Sequence, residues 1–442
     1  MNFLTFKGGI HPPDSKSATS SKAIETMKDP KVVIIPLHQH IGAPCQPTVK
    51  PKDEVKAGQR IGEPQGFVSA PVHASVSGTV KEVAMKPIGG GREAQCVVIE
   101  SDGLNEIHPD IKPYGPIESM DEKQIIEMIQ NAGMVGMGGA TFPTHVKLSP
   151  PPEKPIDTII INGAECEPYL TADYRLMLED PETLILGLKI IMKSVHAEKG
   201  MIGIEANKKD AIDKVLEVID EKEPIHVVAL QTKYPQGAEK QLIEACTKRQ
   251  VPSGGLPMDV GIVVNNVGSA YQIAKTFQTG MPLIERITTV TGSCIAEPKN
   301  LKVKIGSPVK ELIEFCGGYT KTPGKIIFGG PMMGMAQESD DYPIAKGTSG
   351  VLIFDKNEAV IPDPVNCIRC SKCIECCPIH LMPVTISEYS LAERMPDAER
   401  YNALDCIECG SCSYVCPSKR PLLQSIRVAK NAIMAERKKQ QK

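Results

Sequence analysis

Two short runs of cysteine constrain this 442-residue chain more than any other feature. The first is Cys367-x2-Cys370-x2-Cys373-x3-Cys377-Pro378, and the second is Cys406-x2-Cys409-x2-Cys412-x3-Cys416-Pro417. Spacings of this kind let three thiolates point at three corners of one cubane, while the thiolate before proline ligates the other cluster. One 4Fe–4S cluster is therefore expected on Cys367, Cys370, Cys373 and Cys416, and a second on Cys377, Cys406, Cys409 and Cys412. Soft thiolates also suit zinc, but structural zinc usually takes two separated pairs rather than two tight quartets. Cys376 is a ninth thiol beside a ligand, and the proline that follows favours Cys377 as the ligand. Two nearby cubanes imply one-electron transfer along a chain of centres.

The rest of the composition narrows the class. Nine of the 15 cysteines fall between Cys367 and Cys416 of a long chain, which argues for metal and against a disulfide scaffold. The other six (Cys45, Cys96, Cys166, Cys246, Cys294 and Cys316) are scattered and read mostly as small buried hydrophobes. A net charge of −3, no Trp and 4% aromatics exclude a broad nucleic-acid surface and a base-stacking platform. Apolar runs such as Val32-Val33-Ile34-Ile35 fall far short of the roughly 18 residues of a membrane helix. The opening Met1-Asn2-Phe3-Leu4-Thr5-Phe6-Lys7-Gly8-Gly9 has no charged segment followed by an apolar core, so no secretory signal is visible. A cytoplasmic protein is expected, held at any membrane by partners.

At roughly 150 residues per domain the length suggests about three domains, and the patterning suggests four regions and a tail. Residues 1–115 read as β structure. Ala70-Pro71-Val72-His73-Ala74-Ser75-Val76-Ser77-Gly78-Thr79-Val80 alternates with period two and resembles the barrel-sandwich hybrid of lipoyl and biotinyl carrier domains. Those carriers present a modifiable lysine ahead of such a turn. No lysine lies between Lys56 and Lys81 here, which leaves a structural or docking module. Residues 116–283 alternate helix and strand. Helices are expected at 121–133, 181–195, 208–220, 238–248 and 269–279, and strands at 158–161, 201–205, 226–231 and 260–264. This alternation argues for a largely parallel α/β layer. Residues 284–340 form a β-grasp-like module, with strands at 287–291, 303–305 and 326–328 around a helix at 308–315. Pro362 and Pro364 lead into the cysteine region, 360–425, whose insert at 383–394 is helical in composition. Residues 426–442 are a helix ending in a basic, solvated tail, Arg437-Lys438-Lys439-Gln440-Gln441-Lys442.

The α/β region carries four polar segments. Gly133-Met134-Val135-Gly136-Met137-Gly138-Gly139-Ala140-Thr141-Phe142-Pro143-Thr144-His145-Val146-Lys147 lets backbone N–H groups approach a phosphate, and Lys147 adds charge. The strand at 158–161 runs into Asn162-Gly163-Ala164-Glu165-Cys166-Glu167-Pro168, at the carboxyl end of a sheet where α/β ligands bind. Tyr234-Pro235-Gln236-Gly237-Ala238-Glu239 and Asn265-Asn266-Val267-Gly268 can converge on the same edge.

Together these segments resemble the flavin-and-NADH subunit of respiratory complex I. There a G-R-G-G-A-G-F-P-T-G-x-K loop, an N-A-x-E-x-E-P loop, a Y-x-x-G-E-E segment and an N-N-V-E segment surround FMN and nicotinamide. Gly136, Gly138, Gly139, Phe142, Pro143, Thr144 and Lys147 match the first, and Asn162, Glu165, Glu167 and Pro168 the second. Tyr234, Gly237 and Glu239 match the third, and Asn265, Asn266 and Val267 the fourth. Three positions depart: Met137 replaces an arginine, Leu148 a tryptophan and Ala238 the first of two glutamates. A charge-assisted donor and an aromatic wall are thereby missing. The domain order, with Phe6-Lys7-Gly8-Gly9-Ile10-His11-Pro12, looks like the RnfC family over essentially the whole chain. Members of that family are the NADH-handling subunits of the Rnf ion-translocating electron-transport complex.

The resemblance implies a multidomain α/β fold: a β barrel-sandwich hybrid, an α/β FMN/NADH-binding domain, a β-grasp (SLBB-like) module and a helical two-cluster ferredoxin domain. It implies non-covalent FMN, two 4Fe–4S clusters and NAD(H) as substrate, with hydride exchanged between nicotinamide and flavin and single electrons passed to the clusters. Lys147 and the glycines would hold the phosphate side, and Asn162, Asn265 and Asn266 flavin or ribose polar groups. Glu165 and Glu167 are the candidate catalytic residues, as hydrogen-bond partners of nicotinamide or ribose. Partners would be the other subunits of the membrane complex, among them an iron–sulfur subunit that accepts electrons from ferredoxin, at the cytoplasmic face of the bacterial membrane. Two alternatives remain open: a soluble flavin and iron–sulfur reductase similar to cobalamin reductase, and a non-enzymatic electron-relay scaffold.

Overall fold

A computed structural model of the chain describes residues 3–440. Met1 and Asn2 of the N-terminal segment, and Gln441 and Lys442 of the basic tail, lie outside the described residues. The parallel layer has the strand order Ile225–Leu230, Lys199–Glu205, Thr158–Gly163, Ile262–Asn266. Its strands are apolar on both faces because helices cover both sides. Ile159, Ile161, Ile202 and Ile204 bury against Pro181–Ser194 and Val267–Thr279, while Ile160, Met201 and Val264 bury against Glu239–Thr247. The helix Glu122–Asn131 starts at a capping box: the Asp121 side chain accepts from Gln124 N at 2.8 Å, and Gln124 Oε1 accepts from Asp121 N at 2.9 Å. A further helix, Ala172–Glu179, follows the acidic segment.

The N-terminal hybrid stacks two small sheets. Val32–Pro36, Arg92–Ser101, Gly78–Gly89 and Glu54–Val55 form one, and Gln46–Pro47, Arg60–Glu63 and Val72–His73 the other. Val33, Ile35, Ile61, Val72, Val97 and Ile99 fill the space between them. A side chain at Gly78 would collide with the Glu100 carbonyl, which accounts for glycine in the Ser77-Gly78-Thr79 turn.

The third sheet differs in extent from the 284–340 module expected. Its six strands run Ile24–Thr26, Lys299–Lys304, Glu285–Thr291, Gly350–Asp355, Pro323–Phe328, Met335–Gln337. The chain thus contributes an edge strand from residues 24–26 and a central one from 350–355. Val351 and Ile353, fully buried, close the core formed by Val290, Leu301, Leu312 and Ile313. The terminal helix Leu422–Gln440 likewise runs through the expected division at 425/426, because Ile426, Ala429 and Ile433 bury against Ile386, Ala398 and Ala403 of the cysteine region. The insert expected as one helix is two, Pro383–Leu391 and Met395–Arg400.

A strap of residues 4–27 ties the regions together. Leu4 bridges to Leu230 at the edge of the parallel sheet, Ile10 exchanges both backbone hydrogen bonds with Tyr234, and Gly9 N donates to Cys376 O at 2.9 Å. A Cβ at Gly8 would lie 2.9 Å from Cys377 O, so glycine permits this approach.

Candidate redox site

The four polar segments meet at the carboxyl edge of the parallel sheet. Asn162 and Asn266 stand in register on neighbouring strands. Asn162 Nδ2 donates to Gly237 O at 2.7 Å, fixing the third segment to the second. Lys147 Nζ donates to Val264 O at 3.2 Å and to Glu239 Oε1 at 3.3 Å. The glycine-rich loop closes on itself through Gly136 N to Phe142 O at 2.9 Å and is anchored by Met137 N to Ser269 Oγ at 2.9 Å. A Cβ at Gly138 would come within 2.6 Å of Asn266 Nδ2, whereas Gly139 faces open space.

Buried polar atoms at this edge lack a partner, two of them on Asn265 and Thr144. Asn265 is 4% exposed and Thr144 1%, yet Asn265 Nδ2 and Thr144 Oγ1 make no hydrogen bond. Orphaned buried groups are costly and call for an explanation. A flavin nucleotide, rich in acceptors, supplies one, so the residues present fit FMN.

The acidic segment is held differently from a pair of free carboxylates. Glu165 accepts from Asp173 N at 2.8 Å and Tyr174 N at 3.1 Å, capping the helix Ala172–Glu179. Glu167 accepts from Met332 N at 3.0 Å and Met333 N at 2.9 Å, in a loop of the third sheet. Burial pushes the Glu167 carboxyl up to about 7. Two buried lysines grip the backbone of the same segment. Lys16 Nζ donates to the carbonyls of Glu165 and Glu167, each at 2.9 Å, and to that of Leu170. Lys208 Nζ donates to Ala164 O at 2.7 Å and Glu205 Oε2 at 3.2 Å. Desolvation holds the Lys16 ammonium below its usual range. Asp173 joins this polar layer through Asn266 Nδ2 at 2.6 Å, and burial, then the Glu165 charge, raises its carboxyl. Lys16, Lys208 and Asp173 escape sequence reasoning. The only signal is Glu205 three residues before Lys208, at a strand end.

Tyr234 faces the cysteine region. Its ring is 1% exposed and its hydroxyl donates to Cys409 O at 2.8 Å. Nearby, Gly237 N donates to Cys166 Sγ at 3.3 Å, and burial pushes that thiol up to about 12. Cys166, Tyr234, Ile10 and Met332 pack with Cys409 and Cys412 in one apolar cluster. The carboxyl edge of the sheet and the cysteine region therefore share a wall.

The thiols of the cysteine region lie in different surroundings. Cys367, Cys370, Cys373 and Cys416 line one cavity of about 290 Å³. Cys377, Cys409 and Cys412 are each under a tenth exposed, and Cys377 and Cys406 share an apolar cluster. Backbone N–H groups already point at sulfur: Arg369 to Cys367, Leu381 to Cys377 and Glu408 to Cys406, at 3.4, 3.3 and 3.4 Å. Such bonds favour the electron-rich state of a cluster. The Cys376 thiol instead donates to Cys373 O at 3.5 Å. Among the described residues no three His, Cys, Asp or Glu side chains gather closely enough for a single metal ion.

Four family models match successive parts of the chain. The RnfC barrel sandwich hybrid domain matches residues 4–104, the Nuo51 FMN-binding domain 129–275, the SLBB domain 287–336 and a 4Fe-4S dicluster domain 359–436. The RnfC-type subunit of the Na(+)-translocating ferredoxin:NAD(+) oxidoreductase complex of Acetobacterium woodii is 56% identical over 435 residues, 98% of either chain. Its counterpart in the proton-translocating complex of Clostridium ljungdahlii is 50% identical, covering 98% of this chain and 96% of the relative. The counterpart in the ion-translocating oxidoreductase complex of Rhodobacter capsulatus is 39% identical, covering 98% and 84%. A chain of an NAD+-reducing NiFe-hydrogenase shares the fold at TM-score 0.50 and 18% identity, over 74% of this chain and 72% of that one.

Proposed function

Because the chain belongs to the RnfC family of ion-translocating ferredoxin:NAD(+) oxidoreductase subunits, we propose that it exchanges hydride between NAD(H) and FMN and passes single electrons through two 4Fe–4S clusters. It is a flavin and iron–sulfur electron-transfer subunit of such a complex. The observation that carries the reading is the wall shared by the flavin edge and a cluster ligand, with Asn162 and Gly237 on one side and Tyr234 and Cys409 on the other.

FMN, when bound, supplies the conversion between two-electron and one-electron chemistry. The chain's residues bind and orient it. Gly136 closes the loop through its bond to Phe142 O, and Gly138 and Gly139 leave backbone N–H groups accessible, which with Lys147 suits a phosphate. Thr144 Oγ1 and Asn265 Nδ2 supply unspent hydrogen-bonding capacity, and Phe142 an aromatic face. Asn162, Asn266, Gly237 and Glu239 set the shape of the cleft through their mutual bonds. Glu165 and Glu167 act on nicotinamide binding chiefly by fixing the acidic segment, since both carboxylates are engaged by backbone N–H groups. The partners proposed are the other subunits of the complex, including an iron–sulfur subunit that takes electrons from ferredoxin. No described helix is long and apolar enough to cross a membrane, and attachment to the cytoplasmic face through those subunits is proposed.

Anaerobic titration tests the function. Protein reconstituted with iron, sulfide and FMN should retain flavin and bleach on addition of NADH. Clusters without flavin and no response to NADH would leave only an electron-relay scaffold. Sedimentation with the membrane fraction separates a member of a membrane complex from a soluble reductase.

A further inference from the structure

The acidic segment Glu165–Leu170 has a strained backbone. Glu165 and Tyr169 sit at φ +45° and +70°, where residues other than glycine are seldom found. Such conformations persist only where their surroundings enforce them, and they gather at functional sites. Here the enforcing group comes from the far end of the chain. Lys16 Nζ donates to the carbonyls of Glu165 and Glu167, each at 2.9 Å, and to that of Leu170. The segment thus winds around one ammonium as a loop winds around a cation, and Tyr169 N donates to Asp14 O at 2.8 Å beside it. The Glu165 and Glu167 carboxylates are spent elsewhere, on the N–H groups of Asp173, Tyr174, Met332 and Met333. Lys16 is also an uncompensated charge. It is 7% exposed, and among the described residues no carboxylate pairs with it, whereas its neighbour Lys208 pairs with Glu205 at 3.2 Å. A dry, unpaired ammonium is costly, and this one grips the chain three residues beyond Asn162 at the flavin edge.

We propose that Lys16 is a positioning residue of the redox site: the N-terminal strap inserts it to hold the acidic segment in the shape that admits the nicotinamide nucleotide, and its fixed charge favours the reduced, more negative flavin. The proposal rests on the function above and deepens it by giving the strap a part in the reaction. With both carboxylates engaged, the face that the segment turns to the cleft is set by its backbone, and the backbone is set by the three carbonyls that Lys16 gathers. A charge in a water-excluded site acts at longer range than the same charge in water. The strap also carries a lysine that serves as an internal control. Lys22 is exposed and donates to Pro298 O at 2.8 Å, away from the acidic segment.

The test uses the full chain loaded with FMN and both clusters. Calorimetry measures NAD+ binding to the oxidised protein, spectroelectrochemistry the flavin potential, and amide hydrogen exchange the protection of residues 164–171. Lys16→Met keeps the length of the side chain and removes its charge and its three bonds. It should bind NAD+ at least about tenfold more weakly and exchange those amides about tenfold faster. Its flavin potential should fall by about 30 mV, the equivalent of a tenfold preference for a two-electron couple. Lys22→Met should match the wild type in all three. An unmoved NAD+ affinity or an unmoved flavin potential in Lys16→Met overturns the proposal, as do equal losses in Lys22→Met. If Lys16→Met does not retain FMN, Lys16→Arg decides, because a guanidinium keeps the charge but cannot seat one nitrogen among three carbonyls. Its flavin potential should then stay while NAD+ binding weakens, and wild-type affinity overturns the clamp. Failure of the functional reading would look different: amide exchange would still separate Lys16→Met from the wild type, while neither bound NAD+.

Discussion

Replacing Tyr234 by phenylalanine removes one oxygen from a site where its partner is known. The ring is buried and keeps its packing, so the change isolates the hydroxyl that donates to Cys409 O at 2.8 Å. Stripping a buried carbonyl of its donor costs about 1–3 kcal/mol. Part of that cost depends on the cluster's charge. The positive end of the O–H dipole lies beside a ligand of the Cys409 quartet, so its loss disfavours the reduced, more negative state. If about 1 kcal/mol of the bond is specific to the reduced state, the potential falls by about 40 mV, at about 59 mV per tenfold for one electron. Anaerobic redox titration followed by electron paramagnetic resonance reads both clusters in one sample. The expected result is a downward shift of one cluster, an unmoved second cluster and unchanged FMN affinity. If FMN affinity dropped while neither potential moved, Tyr234 would face the flavin and the shared wall would be wrongly drawn.

Three further outcomes are expected. Asn265→Ala should weaken FMN binding about tenfold, the equivalent of about 1.4 kcal/mol, because it removes the unpartnered Nδ2; fluorescence titration with an unaltered affinity would take Asn265 out of the site. Cys376→Ser should retain the iron and sulfide of both clusters and Cys377→Ser lose those of one, and chemical analysis showing the reverse would exchange their roles. Lys346 is buried between Pro71 O at 2.9 Å and Gly133 O at 2.7 Å, and burial pulls its ammonium from 10.5 down to about 8. Between those values the unfolded chain binds more protons, so this group's contribution to stability increases with pH, by up to about 3 kcal/mol. Denaturant unfolding at pH 7 and pH 10 should show the wild type gaining on Lys346→Met, and an equal gap at both would refute the assignment.

What the sequence discloses is local in origin. Asp121 and Gln124 announce a helix start because both halves of the capping box lie within one turn. The cysteine spacing announces two clusters because ligand geometry demands it, and Asn162 and Asn266 declare themselves by ending strands. The helix Ala172–Glu179 is silent because only Ala172, Leu176 and Met177 bury, too few to set a period. Ile24–Thr26 is silent because its partner, Asn300–Lys302, is remote in sequence. The same holds within the site. Nothing near Lys16 says that it will donate to carbonyls of the Glu165–Leu170 loop, and nothing near Glu167 says that Met332 and Met333 will occupy it. Motif matching puts Tyr234 with the flavin, but the direction of its hydroxyl is fixed by a domain that follows it by 175 residues.

The strap at 4–27 also sets a timetable for biosynthesis. It leaves the ribosome ahead of every surface that it fastens: the sheet edge at 230, Tyr234, the strand at 299–304 and the backbone at Cys376. Contacts so distant in sequence form late and slowly. Iron and sulfide taken up before Gly9 reaches the Cys376 carbonyl would be in place when Ile10 packs beside Cys409 and Cys412. A chain that fastened first would have Ile10 packed against Cys409 and Cys412 before their cluster was in place.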